Sequence, residues 1–254
     1  MHTMLSRRPD GSGDLTADGI TWIINPARAP QTRTVRFPKN RALGELFAET
    51  YPAVGRSLSQ MKKLGRARGE VDVPAGHRLI LYVEGDINEG GLKALATLAP
   101  QDLQSLRLGG CGLTDKSLIH LRNLTWLEHL DLSCNPVSGE ALAHLEGMLL
   151  LERLELWGCD LTEEGLANLP PLPSLRHLSV AIHLDLPDDA LASLVSLPVL
   201  ESLDLRSTPI GDRALAHLRK LRQLRSLHIS HTKLTCNGIA ELRAALPLCQ
   251  ISWF

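Results

Sequence analysis

Aromatic side chains are scarce, 4% of the chain against 44% for hydrophobic residues as a whole. A core of ordinary size cannot then rest on Phe and Tyr, and leucine must fill it. Cysteines number five (Cys111, Cys134, Cys159, Cys236 and Cys249). An odd count without a secretory segment argues against a disulfide framework and for free thiols in a reducing compartment. Met1 to Gly19 has no apolar stretch of signal-peptide length, and no run approaches the ~18 apolar residues of a membrane span. Charge of one sign is also lacking, since the formal net charge is −1. That excludes strong non-specific attraction to nucleic acid or acidic membrane. The expectation is a soluble, cytoplasmic, monomeric protein.

The near-zero charge conceals a division. Residues 1–76 carry 12 Lys/Arg against 7 Asp/Glu, and residues 77–254 carry 15 against 21. The same boundary separates an aperiodic part from a periodic one. Aligned on Leu103, Leu127, Leu151, Leu175, Leu200, Leu224 and Leu248, the chain repeats at spacings of 24, 24, 24, 25, 24 and 24 residues. A divergent unit opens at His77. Within a unit, Leu recurs at positions 1, 4 and 6, a small or polar residue stands at 9, an apolar one at 11, and leucines return at 16, 19 and 22. The period of 2 at positions 4 and 6 predicts a short strand with one buried face. The period of 3 further on predicts a short helix or 3₁₀ turn. Helix-start residues lie between them, as in Thr114-Asp115, Thr162-Glu163 and Gly211-Asp212. A single unit of this kind buries its leucines only against its neighbours, so none is stable alone.

A stretch such as Leu127-Glu128-His129-Leu130-Asp131-Leu132-Ser133-Cys134-Asn135, repeated across seven registers, resembles the leucine-rich repeat family from about His77 to Phe254. The Leu113 to Leu118 segment is similar to the ribonuclease-inhibitor-like and cysteine-containing branches. The resemblance implies an α/β fold: a right-handed leucine-rich repeat solenoid, or horseshoe, with a parallel concave β-sheet and short convex helices. It also implies that position 9 faces inward and bonds loop backbone. Here that position reads Gly85, Cys111, Asn135, Cys159, His183, Thr208 and Thr232, which suggests a patchy ladder. The extra residue within 181–187 suggests a bulged loop. The domain reading is a flexible tail over 1–18, a small β-rich N-terminal cap over 19–76, and the solenoid over 77–254, about seven units plus a terminal strand. The cap follows from short apolar runs such as Ile20–Ile24 and Thr34–Phe37, and from a turn at 74–77 between two strands. A separate binding or effector module in residues 1–76 is the alternative.

In each predicted strand, positions 3, 5 and 7 project away from the leucine core. Position 3 reads Ser105, His129, Arg153, His177, Ser202 and Ser226; position 5 reads Arg107, Asp131, Glu155, Ser179, Asp204 and His228; position 7 reads Gly109, Ser133, Trp157, Ala181, Arg206 and Ser230. Trp157 stands out, because its register turns a large aromatic toward solvent in mid-sheet. It either lies flat over neighbouring repeats or anchors a partner, and interface anchors favour Trp and Arg. The candidate partner-binding set is therefore Trp157, Arg153, Glu155, Asp131, His129, Arg107, His177, Asp204 and Arg206. A flat sheet presents His129, Asp131, Glu155, His177 and Asp204 in parallel, whereas a metal needs convergent ligands; no metal or cofactor is expected. Cys111 and Cys159 should be buried in apolar surroundings that discourage a reactive thiolate. No phosphate-cradling glycine loop occurs. The late basic residues Arg213, Arg219, Lys220, Arg222 and Arg225 lack the interleaved aromatics of a nucleic-acid platform and read as a solvated flank. The functional expectation is a non-enzymatic scaffold that holds a protein on its concave face.

Overall fold

The structure, a computed structural model, describes residues 13–17, 20–24, 32–50 and 61–253. Strands β1 (Gly13–Ala17) and β2 (Ile20–Ile24) pair antiparallel, so the backbone of 13–17 is a strand where the sequence suggested a tail; residues 1–12 lie outside the described residues. Strand β3 (Arg33–Arg36) precedes β4 (Glu45–Thr50) and β5 (Lys62–Arg66), which are followed by β6 (Glu70–Val73) and β7 (His77–Tyr82). The turn at 74–77 does not close a hairpin. β6 pairs with β3 in a sheet of its own, whereas β7 joins β4 on one side and the repeats on the other.

From β7 the repeats add strands one by one: β8 (Ser105–Arg107), β9 (His129–Asp131), β10 (Arg153–Glu155), β11 (His177–Ser179), β12 (Ser202–Asp204), β13 (Ser226–His228) and β14 (Gln250–Ser252). They form the parallel part of a ten-stranded sheet ordered β14-β13-β12-β11-β10-β9-β8-β7-β4-β5. Register is kept throughout, with Leu106, Leu130, Leu154, Leu178, Leu203, Leu227 and Ile251 in successive alignment. The backbone carbonyl at position 2 accepts two N–H groups from the next unit, as Glu128 O does from Glu152 N (2.8 Å) and Arg153 N (3.0 Å).

Between strands the chain crosses the core and returns through short helices: α1 (Glu89–Leu95), α2 (Asp115–Leu118), α3 (Glu163–Ala167), α4 (Leu215–Leu218) and α5 (Cys236–Ala245), with 3₁₀ turns such as Glu140–Leu145 and Asp188–Ser196 taking their place in other units. Of the starts read from sequence, Thr162 caps with its side chain, Oγ1 accepting from Gly165 N (3.0 Å), and Thr235 Oγ1 accepts likewise from Gly238 N (3.1 Å). The acids of the first turns have a further task. Asp115 accepts from Ser138 N (3.0 Å) and Ser138 Oγ (2.6 Å), and Asp188 from Gly211 N (2.6 Å), so each ties its unit to the next.

The leucines at positions 1, 4 and 6 are buried from Leu103 to Leu227. Leu248, in the turn before β14, is by contrast 72% exposed. Trp253 packs against the end of the core, as its position 6 register suggests, and Arg243 stacks 5.4 Å from its ring.

Position 9 forms a fuller ladder than its mixed composition suggests. Asn135 Nδ2 donates to Leu132 O (2.7 Å) and Leu108 O (2.8 Å), while its Oδ1 accepts from Leu113 N (2.9 Å). His183, Thr208 and Thr232 each reach the carbonyl three residues back, at 2.8, 2.7 and 2.9 Å. Cys159 Sγ reaches Leu132 O at 3.3 Å. The residue before each of these stands in left-handed backbone: Gly110, Cys134, Gly158, Ile182, Ser207 and His231, with φ between 55° and 67°. The extra residue of the irregular unit is absorbed between His183 and buried Leu186, where Leu184 is turned out to 78% exposure, and strand register continues unbroken.

Candidate functional site: the open face of the sheet

Because positions 4 and 6 point into the core, positions 3, 5 and 7 line the opposite face. The lanes read from sequence are the lanes observed: His129, Arg153 and His177 lie side by side, as do Arg107, Asp131, Glu155 and Ser179. Two hollows open on this face. One, of about 470 Å³, is lined by Arg107, His129, Asp131, Arg153, Glu155 and Trp157, together with Glu49, Met61, Ile80 and Ser105. The other, of about 510 Å³, gathers Asp204 and Arg206 with Ser179, Ala181, Ile182, Ser207, Ser230 and His231, and shares Glu155 and Trp157 with the first. Trp157 therefore stands where the two meet, 39% exposed. His177 keeps its place in the lane beside Arg153 but lines neither hollow.

Several charges are already engaged. Arg153 Nη1 lies 3.3 Å from Glu155 Oε1. Arg206 grips Asp204 with two contacts, Nε to Oδ1 at 2.9 Å and Nη2 to Oδ2 at 2.6 Å. One oxygen of each aspartate also accepts the backbone N–H two residues on, Ser133 N to Asp131 and Arg206 N to Asp204, both at 3.0 Å. These acids thus shape the turn that follows the strand as well as the surface.

Burial sets the protonation of the face. It pushes the His129 imidazole down to about 3, helped by the neighbouring guanidiniums of Arg78, Arg153 and Arg107 and by His177. Burial and Arg153 push His177 down to about 4, opposed in part by Glu152. Both rings are neutral at pH 7. Burial raises the Glu155 carboxyl, and Arg153 offsets part of the rise. Behind the sheet, burial lifts the Cys111 thiol to about 11 and the Cys159 thiol to about 12. Neither is a nucleophile at neutral pH.

In the lane at position 2, Arg176 pairs with Glu201 across neighbouring strands, while Glu128 is 4% exposed and meets Arg78 at 2.5 Å. Buried Gln104 serves as a joint, its Oε1 accepting from Leu79 N (2.9 Å) and Arg33 Nη2 (2.8 Å). Sequence reasoning also missed Glu49 and Met61, which reach the first hollow from the N-terminal segment. No repeat period places them there.

Eight strands in one parallel register, joined over a leucine core by short α- or 3₁₀-helical returns, are the arrangement of leucine-rich repeats. The chain carries leucine-rich repeats. The profile of the family described as Leucine Rich repeat matches residues 99–121, 123–145 and 196–218. Among solved structures, internalin C2 from Listeria monocytogenes is similar at 23% identity and a TM-score of 0.50, over 67% of this chain and 71% of that one. A leucine-rich repeat protein of Leptospira interrogans aligns at 19% identity and a TM-score of 0.45, over 61% of this chain and 44% of that one. At these identities the likeness speaks for the leucine-rich repeat fold alone. No match was found among curated proteins.

Proposed function

We propose that this leucine-rich repeat protein is a non-enzymatic scaffold that holds a partner protein on the concave face of its sheet. Leucine-rich repeat domains commonly mediate such contacts, and one observation supports the assignment here. Trp157, a large apolar side chain on the open face, is left 39% exposed at the junction of two hollows, whereas Leu154 and Leu156 on the other face of its strand are fully buried. A half-exposed Trp flanked by arginine is the usual composition of an interface anchor. Arg153, Glu155, Asp131, His129 and Arg107 surround it on one side, Asp204 and Arg206 on the other, with His177 in the adjoining lane. The strands present a face ~30–35 Å across at a spacing of ~4.8 Å, enough for the ~800 Å² per partner of a standard interface. The five free thiols suit a reducing cytoplasm.

The test compares proteins captured from native lysate by the full chain, Trp157→Ala and Arg153→Glu. A species enriched by the wild type should fall at least tenfold with either folded variant, since truncating an anchor costs about 2 kcal/mol or more. Undiminished capture by both variants would remove the concave face from consideration.

A further inference from the structure

We propose that the first hollow receives a basic side chain of the partner protein, with Glu49 as its counter-ion. The inference rests on the concave-face reading above and goes further, by bringing the N-terminal segment into the site and naming the chemistry recognised there.

Two polar groups lining this hollow are buried and unsatisfied. Glu49 is 7% exposed, and its Oε1 has no hydrogen-bond partner; Ser105 is 4% exposed, and its Oγ has none. Both unpartnered atoms belong to residues that line one cavity, so a polar group entering it would find an acceptor in each. The carboxylate decides the sign of that group. Glu49 stands opposite Arg78 in the β4–β7 register, but Arg78 is ion-paired with Glu128 at 2.5 Å. Glu49 therefore presents a buried carboxylate oxygen without a hydrogen-bond partner at this end of the hollow. A cation meeting Glu49 would form a charge-assisted hydrogen bond, roughly twice as strong as a neutral one.

The remaining charges tell where the cation sits. Arg153 is held by Glu155 and His129 is neutral at pH 7, so neither competes for Glu49. Arg107 and Asp131 stand opposite one another on β8 and β9, so the mid-sheet part of the hollow already carries both signs, unlike the Glu49 end. Met61 and Trp157 supply apolar walls for an aliphatic stem, the usual way a long basic side chain is accommodated. At about 470 Å³ the space exceeds one such stem and admits the backbone that carries it.

N-acetyl-arginine amide, its uncharged isostere N-acetyl-citrulline amide and N-acetyl-aspartate amide would be titrated into the full chain. The readouts are the Met61 methyl and Trp157 indole N–H resonances. Saturable shifts with the arginine amide alone are expected, with a dissociation constant on the order of 1 mM for so small a probe. In the near-isosteric Glu49→Gln, checked for a wild-type fold by circular dichroism, affinity should drop at least tenfold. Equal binding of citrulline, unchanged affinity in Glu49→Gln, preference for the aspartate amide, or no saturable binding of arginine to the wild type would each overturn the proposal. If a captured protein is lost with Trp157→Ala but retained by Glu49→Gln, the scaffold reading stands and only this inference fails.

Discussion

Ile182 is a β-branched residue in left-handed backbone, φ 59°, and its side chain is 50% exposed. Such a conformation costs of order 1–3 kcal/mol for a branched side chain, and half-exposure returns little of that through packing. At the same position of other units the chain has Gly110 and Gly158, for which left-handed backbone carries no steric cost. Ile182→Gly should therefore raise stability by about 1 kcal/mol, read as an increased urea midpoint with unchanged slope. His129 acts in the opposite sense as conditions change. Its folded pKa of about 3 lies below the ordinary histidine value, so protonation favours the unfolded chain. The stability it contributes is complete above pH 6.5 and is lost as pH falls from there toward 3. At pH 5 the loss from this ring is about 2 kcal/mol. Urea denaturation at pH 7 and pH 5 should show a steep fall in the wild type and a shallower one in His129→Gln, with His177 accounting for part of what remains.

At the scale of elements, the junction between neighbouring helices depends on glycine. A Cβ on Gly165, in α3, would lie 2.2 Å from Ser138 O in the preceding unit, a contact that backbone cannot yield to cheaply. Gly165→Ala should cost about 2 kcal/mol or more, and hydrogen exchange should report faster opening on both sides of that junction. The alternation of the repeat strands was open to reading from sequence because one of their faces is a leucine core and the other is polar. That is why the lanes containing Trp157, Arg153 and Glu155 could be assigned to one surface before the fold was known. β4 had no such signature. Leu46, Phe47, Ala48 and Glu49 are buried one after another, so both faces are covered and the period of 2 vanishes. Glu49 and Met61 are consequently not legible as site residues, since the pairing of β4 with β7 carries Glu49 to the hollow and the pairing of β5 with β4 carries Met61.

For the molecule as a whole, β4 and β5 prolong the same sheet that the repeats build, and Arg33 reaches from β3 to Asp102 O (3.2 Å) and Gln104 Oε1 (2.8 Å) in the first regular unit. Leu79 and Leu81 are fully buried on β7, whose edge β4 covers. Residues 77–254 expressed alone should therefore be poorly soluble and should unfold without the cooperative transition of the full chain, as judged by size-exclusion chromatography and thermal melting. A well-behaved monomeric fragment would instead restore the idea of an independent module in residues 1–76. The two ends of the sheet are also unlike. β5 carries Lys62, Lys63 and Arg66 on its strand, which discourages pairing with another chain, while β14 reads Gln250, Ile251 and Ser252.

The paired N–H groups that the carbonyls of Gln104, Glu128, Glu152, Arg176 and Glu201 accept from the next unit have a mechanical meaning. They run across the stack at each of those junctions, so a pull on the chain from the β14 end loads one junction at a time, like a thread drawn from a seam. Each unit released would lengthen the tether by about 80 Å of extended chain. The last resistance would come where antiparallel β4 grips β7 along six residue pairs, and where the chain, under load, would hold longest.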